Sequence, residues 1–186
     1  MGCKKVIAAF AAGGVDAIEI GFPYSDPVMD GPTIQAAAVQ SLSQGTGAKE
    51  VFESLKCASD HGVAAVVMTY WNPIERYGVD AFAQAIADNG GSGVITPDLT
   101  VEESDGWIRA TDNSKINRIY VVAPSTSDSR LPVVTSKCGG FVYAASLMGV
   151  TGTRTKARCS QRSVQDRLAK FCKLPSHLPM TLDQRP

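Results

Sequence analysis

A chain of 186 residues and 19.6 kDa holds one domain with a sizeable core. Eighteen basic residues balance eighteen acidic ones, and 44% hydrophobic against 19% charged residues excludes a disordered chain. Neutrality removes any general attraction to nucleic acid or anionic membranes, and no apolar run approaches the ~18 residues of a membrane span.

In chain order, the first periodic segment predicts a helix over residues 4–12, closed by Gly13 and Gly14. A strand follows over residues 17–22. Within it Ile18 and Ile20 point to one face, and Ala17, Glu19 and Gly21 to the other. Isoleucines suit a face covered by helices, which leaves the Glu19 carboxylate in the interior beside two minimal side chains. An unpartnered buried carboxylate keeps its proton to higher pH, which suits proton transfer. The plainer reading is an interior glutamate satisfied by an arginine or by backbone amides. Residues 23–32 form a loop stiffened by three prolines, at the strand end where catalytic groups concentrate in parallel α/β folds. Asp30, ahead of Gly31-Pro32-Thr33, is either a second functional carboxylate or the cap of the next helix.

Helices are predicted over residues 33–42 and 48–60, then a strand over 64–70 and a helix over 79–88 that ends at Asn89-Gly90-Gly91. A strand over 93–96 precedes a helix over 101–111 with Glu102 and Glu103 in its first turn. Strands over 118–123 and 141–145 follow. The strands are short continuous apolar runs, as expected of parallel strands buried on both faces, and their alternation with helices implies right-handed βαβ units. Either a doubly wound sheet or a closed eight-stranded barrel fits. No G-x-G-x-x-G turn follows a strand, and five strands in 152 residues make only part of a barrel of ~250 residues. Five cysteines (Cys3, Cys57, Cys138, Cys159, Cys172) lack metal-ligand spacing and predict reduced thiols in the cytoplasm, with no metal site.

Composition breaks at Gly152. Residues 1–152 carry 10 basic against 16 acidic residues and every one of the 17 glycines; residues 153–186 carry 8 against 2 and no glycine. The chain therefore divides into a domain over 1–152 and a basic tail over 153–186. The tail offers one amphipathic helix, with Val164, Leu168, Phe171 and Cys172 opposite Arg167, Lys170 and Lys173. It reads as a non-native or loosely docked tail, with a cover for sheet edges or a weak anionic-surface contact as alternatives.

The run IEIGFPYSDPVMDGPTIQ (residues 18–35) resembles the signature of the tryptophan synthase alpha subunit family. The likeness continues through MTYWNPIERYG (68–78), GVITPDLTVEES (93–104), VAPSTSDSRL (122–131) and GFVYAASLMGVTG (140–152), and ends at Arg154. It implies an α/β fold of the (β/α)8 TIM-barrel type, incomplete, with strands 2 to 6 recognisable and the first and last two missing. The implied activity is a lyase reaction of tryptophan biosynthesis: retro-aldol cleavage of indole-3-glycerol phosphate to indole and glyceraldehyde 3-phosphate. By position, Glu19 and Asp30 match the catalytic carboxylates, one protonating indole C3 and the other engaging the ring N–H. Two carboxylates in different environments are expected to have separated pKa values. Tyr70, Asp98, Phe141, Tyr143, Thr151 and Gly152 match substrate-binding positions, although Phe141 and Tyr143 read without the match are core filling. Pro23 and Asp26 lie in the loop that meets the partner, a tryptophan synthase beta subunit. The resemblance implies no cofactor of the chain's own, since PLP belongs to that beta subunit. The glycine-free tail cannot supply the amides that hold a substrate phosphate, so the alternative is a catalytically impaired barrel fragment that at most binds a beta subunit.

Overall fold

The computed structural model describes residues 2–145 and 167–168. Five parallel strands form one sheet: β1 (Ala17–Gly21), β2 (Ala64–Met68), β3 (Gly93–Thr96), β4 (Asn117–Val122) and β5 (Tyr143–Ala144). Their spatial order is their chain order, β1-β2-β3-β4-β5. A doubly wound sheet reverses direction at a switch point; here each connection steps to the next strand on the same side, as in the wall of a barrel. The helices are α1 (Cys3–Ala12), α2 (Pro32–Ser43), α3 (Ala48–Asp60), α4 (Trp71–Tyr77), α5 (Val79–Asp88), α6 (Asp105–Ser114) and α7 (Arg130–Thr135), with a 3-10 turn at Val101–Glu103.

Alternation along each strand divides the side chains between two faces. Ile18, Ile20, Ala65, Val67, Val94, Tyr120 and Val122 point outward and join Leu55, Ile74, Phe82, Ile86 and Trp107 of the helices in the main core. Val66, Ile95 and Ile119 form a second, smaller cluster on the opposite, inner face. The register places Glu19 beside Val66 and Val66 beside Gly93, so neighbours across the sheet share a face.

The expected helix over 101–111 is a 3-10 turn followed by α6, broken at Ser104, whose hydroxyl donates to the Val101 carbonyl at 2.8 Å. Two helices absent from the sequence reading, α4 and α7, contain Pro73 and Pro132. Each proline is the third helical residue, where its missing N–H breaks no intrahelical bond. Strand β5 has two residues rather than five.

Candidate active site

The inner face is built from alternate residues of the strands. Glu19 leaves β1 on the side away from the helices, flanked by Ala17 and Gly21 and paired across the register with Val66. Its side chain faces the inner surface as expected, but the residue stays open to water rather than enclosed, because small residues stand where larger ones would cover it. Partial burial among the apolar strands is the sole cause that pushes its carboxyl above the usual 4.5. Among the described residues no arginine or amide satisfies it. Phe141 and Tyr143 pack against the Val66, Ile95 and Ile119 cluster on the same face. Burial raises the Tyr143 hydroxyl's pKa, and the negative charge of Glu19 adds to that rise. Glu19, Phe141 and Tyr143 thus belong to one surface.

Asp30 ends the loop that leaves β1. It does not cap α2: the cap position is Gly31, with no side-chain cap bond, and the first helical residue is Pro32. The carboxylate is instead half-buried and bonded to the Tyr70 hydroxyl, which also accepts the Met29 N–H at 3.0 Å. Burial pushes Asp30 above 3.8 while the Tyr70 bond opposes the rise. Both carboxylates are therefore displaced in the same direction, and only Asp30 has a donor holding it back.

Tyr70 is buried at the junction of β2 and α4, with its ring 5.5 Å from that of Tyr24. Asp98 accepts the Trp71 N–H through both oxygens, at 2.9 and 3.1 Å, and so caps α4 from the end of β3. Asn72 Nδ2 donates to the Tyr24 hydroxyl at 2.7 Å. Pro23 is half-buried; Asp26 is exposed and accepts the Ser25 hydroxyl at 2.5 Å. Thr151 and Gly152 lie outside the described residues, as does all of the tail except Arg167 and Leu168. Leu168 packs on the main core, and Arg167 donates to Asp128 at 2.5 Å and to the Pro124 and Thr126 carbonyls. Sequence reasoning missed Tyr24 and Asn72, which are 48 residues apart. The available signal was an asparagine just ahead of Pro73, a pair that marks a turn or a helix start.

Among the described residues no cluster of three or more His, Cys, Asp or Glu is arranged to hold a metal ion, and no helix is long and apolar enough to cross a membrane.

The family model for the tryptophan synthase alpha chain matches residues 2–181, a span that continues past Arg154 where the recognised motifs end. The chain is 56% identical over 163 residues to the tryptophan synthase alpha chain of Thermobifida fusca (strain YX), covering 88% of this chain and 60% of that protein. It is 48% identical over 169 residues to the counterpart from Acidothermus cellulolyticus, covering 91% and 63%. Among solved structures, tryptophan synthase of Mycobacterium tuberculosis superposes with a TM-score of 0.85 at 44% identity, over 92% of this chain and 66% of that one. The tryptophan synthase α2β2 complex of Pyrococcus furiosus gives 0.83 at 32% identity, over 92% and 69%. The chain thus spans 60–63% of the length of these two curated relatives.

Proposed function

The chain belongs to the tryptophan synthase alpha chain family, and from that premise we propose that it is a lyase that cleaves indole-3-glycerol phosphate to indole and glyceraldehyde 3-phosphate. The single observation that carries this reading is Glu19: an unpartnered carboxyl held above its usual pKa on the inner face, beside aromatic side chains. Glu19 delivers a proton to indole C3. The C3–C1′ bond then breaks as the C1′ hydroxyl passes its proton to the now ionised Glu19 and becomes the aldehyde, and the bonding electron pair returns to the ring. Asp30, positioned by Tyr70, accepts the ring N–H and balances the positive charge that C3 protonation creates. Phe141 and Tyr143 supply apolar and aromatic contact for the indole. Tyr70 and Asp98 line the loop end of the site, and Thr151 and Gly152 serve the phosphate end.

The Pro23–Asp26 loop would meet a tryptophan synthase beta subunit, which carries the PLP. The protein works in the cytoplasm, in keeping with the unbridged cysteines Cys3 and Cys57. A second reading, a catalytically impaired chain that retains beta-subunit binding, is favoured by the exposure of Glu19 to water, which weakens control of the proton.

Indole release from indole-3-glycerol phosphate, measured with and without a relative's beta subunit, tests the proposal. Release is expected to be slow and to fall roughly a hundredfold or more in Glu19→Gln. Release that survives the substitution would overturn the role of Glu19. Beta-subunit binding without any release would favour the second reading.

A further inference from the structure

We propose that Tyr24 and Asn72 form a latch that positions Asp30, a role that rests on the alpha-type reading of that carboxylate. Residues 23–30 contain two prolines, which have no N–H to give, and among the described residues no backbone–backbone hydrogen bond involves this stretch. Side chains hold it instead. At its start the Phe22 N–H donates to the Met68 carbonyl at 2.9 Å, the last backbone bond before the loop departs. Tyr24 then reaches the β2–α4 junction, where its hydroxyl takes the Asn72 amide at 2.7 Å. Its ring lies 5.5 Å from Tyr70, tilted by 39°. Tyr70 is the residue that accepts the Met29 N–H and bonds the Asp30 side chain.

The two ends of the loop therefore converge on one short segment, residues 70–72. Asn72 follows the first helical residue of α4, whose N–H is fixed by both oxygens of Asp98. This anchors the latch to the end of β3 as well as β2. Loss of the Tyr24 hydroxyl releases Asn72, frees the ring that backs Tyr70, and loosens the hold of Tyr70 on Met29 and Asp30. Tyr24 touches no reacting atom in this scheme and acts only through Tyr70.

The test uses the full 186-residue chain as wild type, Tyr24→Phe and Asn72→Ala. Tyr24→Phe keeps the ring and removes one oxygen; Asn72→Ala breaks the same bond from the other side, and thermal unfolding verifies that both fold. Three readouts are expected to move together. The Met29 amide exchanges roughly fivefold faster or more in both variants. The carboxyl titration midpoint of Asp30, followed by 13C NMR, moves upward as the opposing Tyr70 bond weakens. Finally, kcat for indole release falls about tenfold or more with KM little changed, as loss of alignment demands. Unchanged Met29 exchange and an unmoved Asp30 midpoint in both variants would overturn the latch. Faster Met29 exchange with Asp30 and kcat unmoved would also overturn it, leaving only a structural bond. Failure of wild type to release any indole counts against the alpha-type reading alone, since the two NMR readouts still decide the latch.

Discussion

Asp98 has two possible roles that a single substitution separates. Its match to the family motif assigns it to substrate, while its two oxygens accept the Trp71 N–H and cap α4. Asp98→Ala is expected to lower stability by about 1 kcal/mol, the usual cost of a lost helix cap, read from a chemical denaturation midpoint. Asp98→Asn keeps one acceptor and is expected to recover most of that loss. A wild-type midpoint in Asp98→Ala would contradict the capping role. Residue identities at the site were readable because Glu19 and Asp30 lie 11 residues apart in one motif. The contacts of the loop were not: the family match names Tyr70 but not its bond to Met29, and Asn72 goes unnamed, since only the β1–β2 register brings that strand-helix unit to the loop.

Elements were readable where apolar runs or caps mark them. The helices at Ala48–Asp60 and Val79–Asp88 and the strand at Gly93–Thr96 have the expected bounds, because glycine-containing turns close the helices and Pro97 follows the strand. Between α4 and α5, Gly78 has φ 100°, a left-handed conformation that lets one residue end the first helix and open the second. The short helices, of seven and six residues, are too brief to show a helical period. Gly93 shows what pattern alone does not reveal. It reads as the start of an apolar run, yet a Cβ there would stand 2.6 Å from the Asn117 carbonyl oxygen and 2.9 Å from the Asn117 Cβ. The close approach of β3 to β4 needs the absent side chain. Gly93→Ala is accordingly expected to destabilise by about 1–3 kcal/mol in a denaturant titration. A neutral substitution would show that the two strands part without cost.

At the scale of the molecule, a sheet in strict chain order gives two faces with different jobs. The outer face and its helices hold nearly all of the large buried side chains. The inner face holds a thin apolar cluster and the site carboxylate. Hydrophobic runs revealed five strands, but not their order, which the pattern left open between two architectures. The composition break at Gly152 marked a change in the chain; within the tail, Leu168 packs on the core and Arg167 ties residues 124–128 to it.

The central claim is that this inner face desolvates Glu19 enough to keep its proton beyond the ordinary range. A carboxyl whose folded pKa is raised lends stability that is whole below the unfolded value, 4.5, and is lost as pH climbs through the folded value. Glu19→Gln should therefore gain stability over wild type at neutral pH and not at pH 3.5. The direct measurement is a 13C NMR titration of the Glu19 carboxyl in the folded chain. A midpoint above 4.5 is the expected result. A midpoint at or below 4.5 would mean that Glu19 is an ordinary solvated surface carboxylate, and the proton-donor account would fail.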